Sequence, residues 1–114
     1  MFDWIRTNTT PGDVILARED LSLAVIGTAG RKVVAVERLF SNPFVDWDTR
    51  IRDRDCMVAA LDRADANELM RLASEYRVRY AIRDTPLETT DALRCCVAQA
   101  WSSGPWRIYR IGSP

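Results

Sequence analysis

The stretch "DVILAREDLSLAVIGTAGRKVVAV", residues 13–36, decides the fold class. Residues 13–17 are apolar after the first aspartate and are typical of a buried strand, and residues 32–36 form a second run of this kind. Between them, residues 18–32 carry apolar side chains at helical spacing and end in glycines. A strand, a helix and a strand in this order predict a parallel βαβ unit.

The rest of the chain extends this unit. An amphipathic helical turn precedes it at residues 2–5, and two helices are predicted over 46–63 and 65–77. The loop "SSGP" at 102–105 is short, so the strands on either side of it must be antiparallel. The predicted strands are 13–17, 32–36, 78–83, 93–100 and 106–111.

These elements predict one small α/β domain, a Rossmann-like three-layer sandwich. Three parallel strands are extended by a C-terminal antiparallel hairpin. The expected strand order is 2-1-3, with the hairpin beside strand three. A length of 114 residues fits a single domain over residues 1–114.

Composition excludes several classes of function. Sixteen basic and sixteen acidic residues cancel, which argues against a nucleic-acid partner. The sequence has no histidine, so catalytic triads and dyads that use His, and His-containing metal sites, are excluded. The three cysteines are expected to be free thiols, since Cys95 and Cys96 are neighbours in a predicted strand and point to opposite faces.

The segment "RLFSNPFVDWDTRIRDRDC", residues 38–56, begins with the candidate ligand site, the loop at 38–48. It follows the second predicted strand, and ligands of open parallel sheets bind beyond the carboxyl ends of the strands. Aromatic side chains beside Asn and Asp suit the apolar faces and hydroxyls of sugars. The alternative is that the aromatic residues pin a long connection to the core. The candidate ligand-binding residues are Arg38, Ser41, Asn42, Phe44, Asp46, Trp47 and Asp48.

Asp46 and Asp48 allow two interpretations. Two carboxylates at this spacing could hold a divalent cation beside a diphosphate. Aspartates at the start of a helix also accept hydrogen bonds from its unpaired N–H groups and favour its dipole. Helix capping is the favoured interpretation, and we predict no metal site, no cofactor and no catalytic residue within this chain.

Four runs carry a family resemblance: "FDWIRTNTTPGDVILA", "GRKVVAVERLFSNPFVDWDTR", "LASEYRVRYAIRD" and "WRIYRIG". Together they resemble the soluble C-terminal domain of multi-pass membrane proteins of the C-type glycosyltransferase kind, which use lipid-phosphate sugars. In that family, a Trp-Ile-Arg helix leaves the last membrane span and leads into an N-T-x-P turn, and a Y-R strand closes the domain. The resemblance covers nearly the whole chain, and its motifs are structural.

The resemblance implies a non-catalytic accessory domain, attached to the transmembrane portion of its own parent chain. The chain would then be a piece of a larger membrane protein, on the extracytoplasmic (periplasmic) face. It would cap the membrane active site or help to position an acceptor, with a lipid-linked sugar or a glycan acceptor as partner. The parent protein would be a membrane glycosyltransferase. The alternatives are a free-standing small-molecule or nucleotide-binding module and an enzyme with a metal on Asp46 and Asp48.

Overall fold

The computed structural model describes residues 1–34, 46–85, 87 and 91–112. These residues contain one sheet with the strand order β2-β1-β3-β5-β4. Strands β1, β2 and β3 are parallel where they pair, whereas β5 runs antiparallel to both β3 and β4. The predicted α/β class is confirmed. The strands are β1 Val14–Leu16, β2 Lys32–Val33, β3 Val78–Arg83, β4 Val97–Ser103 and β5 Trp106–Ile111.

Helices cover both faces of the sheet. One face carries α1 and α2, the second of which continues into a π-helical turn, and the other carries α3 and α4. The helices are α1 Phe2–Asn8, α2 Glu19–Ala24 with the π-helical turn Val25–Ala29, α3 Trp47–Asp62, α4 Ala66–Tyr76 and the short α5 Asp91–Arg94.

Two apolar clusters hold these layers together. Successive strand residues point to opposite faces, so Ile15 joins one cluster and Leu16 joins the other. The α1–α2 cluster consists of Ile5, Ile15, Ala17, Val25, Ala29, Ile82 and Ile108. The α3–α4 cluster consists of Leu16, Val34, Met57, Ala60, Leu61, Leu69, Leu72, Ala73, Val78, Ala81, Leu93 and Ile111.

An irregularity in β3 interrupts the alternation of side chains along that strand. Val14 pairs with Val78, but the next residue of β1, Ile15, pairs with Tyr80, so Arg79 is an extra residue in the ladder. The bulge turns Val78 toward the α3–α4 cluster and Tyr80 toward the α1–α2 cluster. Val78 and Tyr80 therefore lie on opposite faces of the sheet, although residues two apart in a regular strand share a face.

Two strands also have different bounds from the predicted ones. Residues 93–100 were expected to form one strand, but Asp91–Arg94 is helical and β4 begins at Val97. Cys95 and Cys96 consequently lie in the turn between them, where the Cys95 thiol donates to Cys96 Sγ at 3.0 Å. The second strand covers only Lys32–Val33 of the predicted 32–36, and residues 35 and 36 lie outside the described part of the chain.

Among the described residues, three helix ends use the left-handed backbone conformation, and one of these three has the glycine that this conformation favours. Gly30 follows the π-helical turn with a φ of 70°. Ala64 ends α3 and Arg77 ends α4, with φ values of 57° and 59°. A side chain in this region is unfavourable by about 1–2 kcal/mol relative to glycine, so the packing of the two helices must hold it there.

Candidate functional site

The candidate functional site is a crevice at the carboxyl ends of β1 and β3. The chain connections diverge at these two strands, since β1 pairs with β2 on one side and with β3 on the other. Open α/β sheets bind ligands at such a position. The described lining consists of Leu16, Ala17, Arg18, Val58, Leu61, Asp62, Ala81, Ile82, Arg83, Asp84 and Thr85.

Charged pairs form the rim of this crevice. Arg18 follows β1 and binds Asp84 after β3 with both ends of its guanidinium, at Nη2–Oδ2 2.9 Å and Nη1–Oδ1 3.4 Å. The pair joins the ends of two adjacent strands, and both side chains remain partly open to solvent. It is therefore an exchangeable surface pair, whose contribution to stability is small.

A second pair links β3 to α3 across the crevice. Arg83 Nη2 lies 2.8 Å from Asp62 Oδ1, with only 14% of the Arg83 side chain exposed. The same nitrogen donates to Thr85 Oγ1 at 3.1 Å, and Arg83 Nε donates to the Thr85 carbonyl at 3.4 Å. These bonds hold the segment after β3 in one arrangement.

The crevice is small and has an apolar floor. Leu16 and Ala81 are nearly fully buried beneath it, and Leu61 closes the side formed by α3. Its volume is about 160 Å³, whereas pockets for drug-sized ligands measure about 300–1,000 Å³. The described residues therefore fit a single ring or side chain, with hydrogen-bonding groups at the rim and apolar contacts below.

The predicted ligand-binding residues fall into two groups. Arg38, Ser41, Asn42 and Phe44 lie outside the described residues. Asp46, Trp47 and Asp48 form the start of α3, as the capping interpretation predicted.

Asp46 is the N-cap of α3. Its Oδ1 accepts from the Thr49 backbone N–H at 3.2 Å, and its Oδ2 accepts from Thr49 Oγ1 at 2.7 Å. These bonds hold the pKa of Asp46 below its ordinary value, the Thr49 hydroxyl being the largest cause.

The start of α3 lies far from the crevice. Asp62, at the other end of the helix, lines the crevice, and fourteen residues of helix separate it from Asp48, or about 21 Å. Asp48 instead borders a shallow depression on the outer side of α3, with Arg52 and Asp55. Ligand binding by the segment 38–48 stays a prediction. The described residues bring no three acidic or thiol side chains together as a metal site.

The end of α4 packs against the same half of α3. Arg50 donates from Nη1 to the Val34 carbonyl at 3.2 Å and lies over the Tyr76 ring, 5.6 Å from its centroid. The Tyr76 hydroxyl donates to Asp53. Burial, and then the Asp53 carboxylate, raise the pKa of Tyr76 to about 12. The Tyr76 hydroxyl therefore stays protonated, and its hydrogen bond to Asp53 holds the end of α4 against α3.

Sequence reasoning did not single out Arg18, Arg83 or Asp84. A signal for them was present, because Arg18 follows the buried strand in "ILAR", and Arg83 and Asp84 lie at the end of the strand in "YAIRD". The carboxyl ends of neighbouring parallel strands meet at one edge of a sheet, so their next residues come together.

None of the described helices is both long and apolar enough to cross a bilayer.

The fold and crevice define an α/β domain built on a mixed sheet. No protein-family model matches the sequence, and no curated protein matches it. Among solved structures, the chain is similar to the C-terminal globular domain of an oligosaccharyltransferase from Archaeoglobus fulgidus, with a TM-score of 0.64 and 14% identity. The alignment covers 96% of this chain and 93% of that domain. At this level of identity the similarity shows the fold.

Proposed function

We propose that this chain is a soluble, non-catalytic accessory domain of a glycosyltransferase-like membrane protein. The observation that carries the proposal is the similarity to an oligosaccharyltransferase domain over 96% of one chain and 93% of the other. A similarity that spans both chains relates whole domains, rather than a βαβ unit that many unrelated folds share. The sequence motifs described above lead to the same class of membrane protein independently.

The chemistry of the crevice supports a binding role. In the described lining, Asp84 pairs with Arg18 and Asp62 pairs with Arg83. These ion pairs place charged hydrogen-bonding groups around the apolar floor. We propose that the crevice takes one side chain or ring of an acceptor and positions it for the membrane portion of the parent chain.

Partner and location follow from the same proposal. The partner is the transmembrane portion of the parent protein, and the ligand is a lipid-linked sugar or a glycan acceptor. The domain would then lie on the extracytoplasmic face, anchored through that membrane portion.

The alternative is a free-standing small-molecule or nucleotide-binding module in the same crevice. A dinucleotide needs a glycine-rich turn after the first strand, so that the backbone can approach its phosphates. Here "ILARED" contains no glycine, and Arg18 is the N-cap of α2. The volume of about 160 Å³ also favours a smaller group.

The test is a heteronuclear NMR titration of the 114-residue chain with short acceptor peptides, saccharides, polyprenyl-phosphate analogues and nucleotides. Acceptor peptides or saccharides are expected to shift the amide signals of Ala17, Arg18 and Thr85. Thr85→Trp should abolish these shifts, because the exposed Thr85 lies at the mouth of the crevice. Thr28→Trp is the matched control, since it places the same side chain at another exposed threonine on the π-helical turn.

Nucleotide shifts at the same residues, without acceptor or saccharide shifts, would replace the proposal by the alternative. Divalent-ion shifts at Asp46 and Asp48 that disappear in Asp48→Asn would support the enzyme hypothesis instead. Equal loss of binding in Thr85→Trp and Thr28→Trp would show that the crevice is not the binding site.

A further inference from the structure

Three arginines lie together at the edge of the sheet opposite the crevice. Arg77 and Arg79 flank Val78, the first residue of β3. Arg110 belongs to β5 and pairs with Tyr80 of β3. Arg83, at the crevice, is the last residue of β3, which places the two regions about 17 Å apart along the strand. We call Arg77, Arg79 and Arg110 the basic cluster.

The basic cluster differs from the crevice because its charges are uncompensated. Within the described residues, Arg77, Arg79 and Arg110 make no side-chain hydrogen bond or ion pair, and all three are exposed. Arg18 and Arg83 at the crevice, in contrast, each bind an aspartate. Three guanidinium groups with free donors on one surface attract an anion that can accept several hydrogen bonds.

The surface between these arginines is concave. Two depressions of about 220 and 230 Å³ adjoin each other there and share Arg79, Ile111 and Gly112 in their linings. Arg77 lines the first depression, and Arg110 lines the second. Arg79 thus stands between its two partners. Its Nη1 lies 3.7 Å from the point that a Cβ on Gly112 would occupy, so Gly112 borders the guanidinium at ordinary contact distance.

The backbone of Arg77 has an unfavourable conformation for a residue with a side chain. It ends α4 with a φ of 59°, in the left-handed conformation. Glycine and, less often, asparagine are the residues that favour this position. A cationic side chain that occupies an unfavourable backbone position is a reason to look for a function of that side chain.

The other polar groups at the two depressions are compatible with an anion. Asp13 is the acidic residue among the described lining, and its Oδ2 already accepts from the Thr10 backbone N–H at 2.9 Å. Ser74 and Tyr80 supply hydroxyl groups. Three positive charges therefore stand against one negative charge.

We propose that the basic cluster binds a phosphate or diphosphate group, with Arg79 at its centre and Arg77 and Arg110 on either side. Arginine forks match phosphate oxygens in pairs, so a diphosphate that spans both depressions engages all three residues. The group could belong to a soluble phosphate compound or to the headgroup of an anionic lipid. The inference does not rest on the proposed accessory role, and it concerns different residues and a different ligand.

The test measures binding of inorganic pyrophosphate by NMR titration, and co-sedimentation with vesicles of phosphatidylcholine containing phosphatidylglycerol. We expect pyrophosphate to shift the signals of Arg77, Arg79 and Gly112, with affinity that falls as salt is added. Arg79→Gln should weaken binding by about tenfold. Arg71→Gln is the control, because it removes the same charge from an exposed arginine that is paired with Glu68.

Arg77→Gly separates binding from folding. Glycine relieves the backbone at φ 59°, so the melting temperature should rise while pyrophosphate affinity falls severalfold. A loss of function in a more stable variant cannot be attributed to unfolding. Unchanged affinity in Arg77→Gly would overturn the three-arginine site.

The two arms identify the source of the phosphate. If the protein binds pyrophosphate but does not co-sediment with anionic vesicles, the ligand is a soluble phosphate compound. If it co-sediments with anionic vesicles and Arg79→Gln abolishes this, the ligand is a lipid headgroup. Failure of both probes, or equal effects of Arg79→Gln and Arg71→Gln, overturns the proposal. None of these results changes the signals of the crevice, so the proposed accessory function stands or fails separately.

Discussion

Asp46 shows how the structure decides between two roles that one carboxylate could have. The sequence places it two residues before Asp48, where the pair could bind a cation or begin a helix. Both Asp46 oxygens accept hydrogen bonds from Thr49, one from its backbone and one from its hydroxyl. The carboxylate thus satisfies a backbone N–H that the helix leaves unpaired at its start.

This role predicts an acid-dependent contribution to stability. The pKa of Asp46 is lowered from its ordinary value of 3.8 in the folded chain, so its contribution is present above that value and is lost as the pH falls through the lowered pKa. Asp46→Asn keeps a capping oxygen but cannot titrate. We expect its melting temperature to fall less than that of the unmodified protein between about pH 4 and about pH 2.

Asp46→Ala completes the comparison. It removes the cap and should be less stable than Asp46→Asn at neutral pH, in thermal melts followed by circular dichroism. If Asp46→Asn lost stability in acid as steeply as the unmodified protein, the Thr49 bonds would not be the cause of the lowered pKa.

At the scale of a single element, the C-terminal end of α3 determines how the chain turns into α4. The Asp65 N–H donates to the Ala60 carbonyl at 2.8 Å, and the Ala64 N–H donates to the Leu61 carbonyl at 3.2 Å. This is the hydrogen-bond pattern of a Schellman helix end, in which the left-handed residue is usually glycine. Here it is Ala64, with a φ of 57°.

The same substitution should therefore have opposite effects on the two sides of this helix end. Ala64→Gly removes the unfavourable contact of the Cβ and should raise the free energy of unfolding by about 1 kcal/mol. Ala59→Gly, inside α3, should lower it by about 1 kcal/mol, because glycine is a poor helix former. Urea denaturation of both variants checks the pair, and destabilisation by Ala64→Gly would contradict the assigned helix end.

At the scale of the whole molecule, both apolar clusters pack on one sheet, each on a different face. Leu69 lies fully buried in the α3–α4 cluster, and Ile108 lies fully buried in the α1–α2 cluster. Because both clusters pack on the same five strands, neither layer of helices can leave without exposing the sheet. The domain should therefore unfold in a single transition.

Truncation on either face tests this coupling. Leu69→Ala and Ile108→Ala should each lower the free energy of unfolding by about 2–5 kcal/mol, a large fraction of the total for a small domain. In each variant, tryptophan fluorescence and far-ultraviolet circular dichroism should give coincident transitions. Asn67→Ala, on the exposed side of α4, is the control with little expected effect. Separate transitions would show that the two faces fold independently.

Much of the fold follows from local patterns. The apolar run at 14–16 is a strand, as its short buried pattern predicts, and so is the predicted strand at 78–83. Helix α3 begins at an aspartate that caps it, as the sequence predicts, and Asp65 caps α4 in the same way. The α/β class, the helix starts and the tight turn before β5 depend on neighbours in the sequence, so they can be deduced from it.

Other features depend on contacts between distant residues. The bulge at Arg79 arises where β3 pairs with β1, and the left-handed Ala64 and Arg77 are held by packing between helices. The crevice exists because strands more than sixty residues apart in sequence lie side by side, which brings Arg18 to Asp84. A local pattern of residues can indicate which strands are neighbours, but the contact between these two side chains is a property of the assembled sheet.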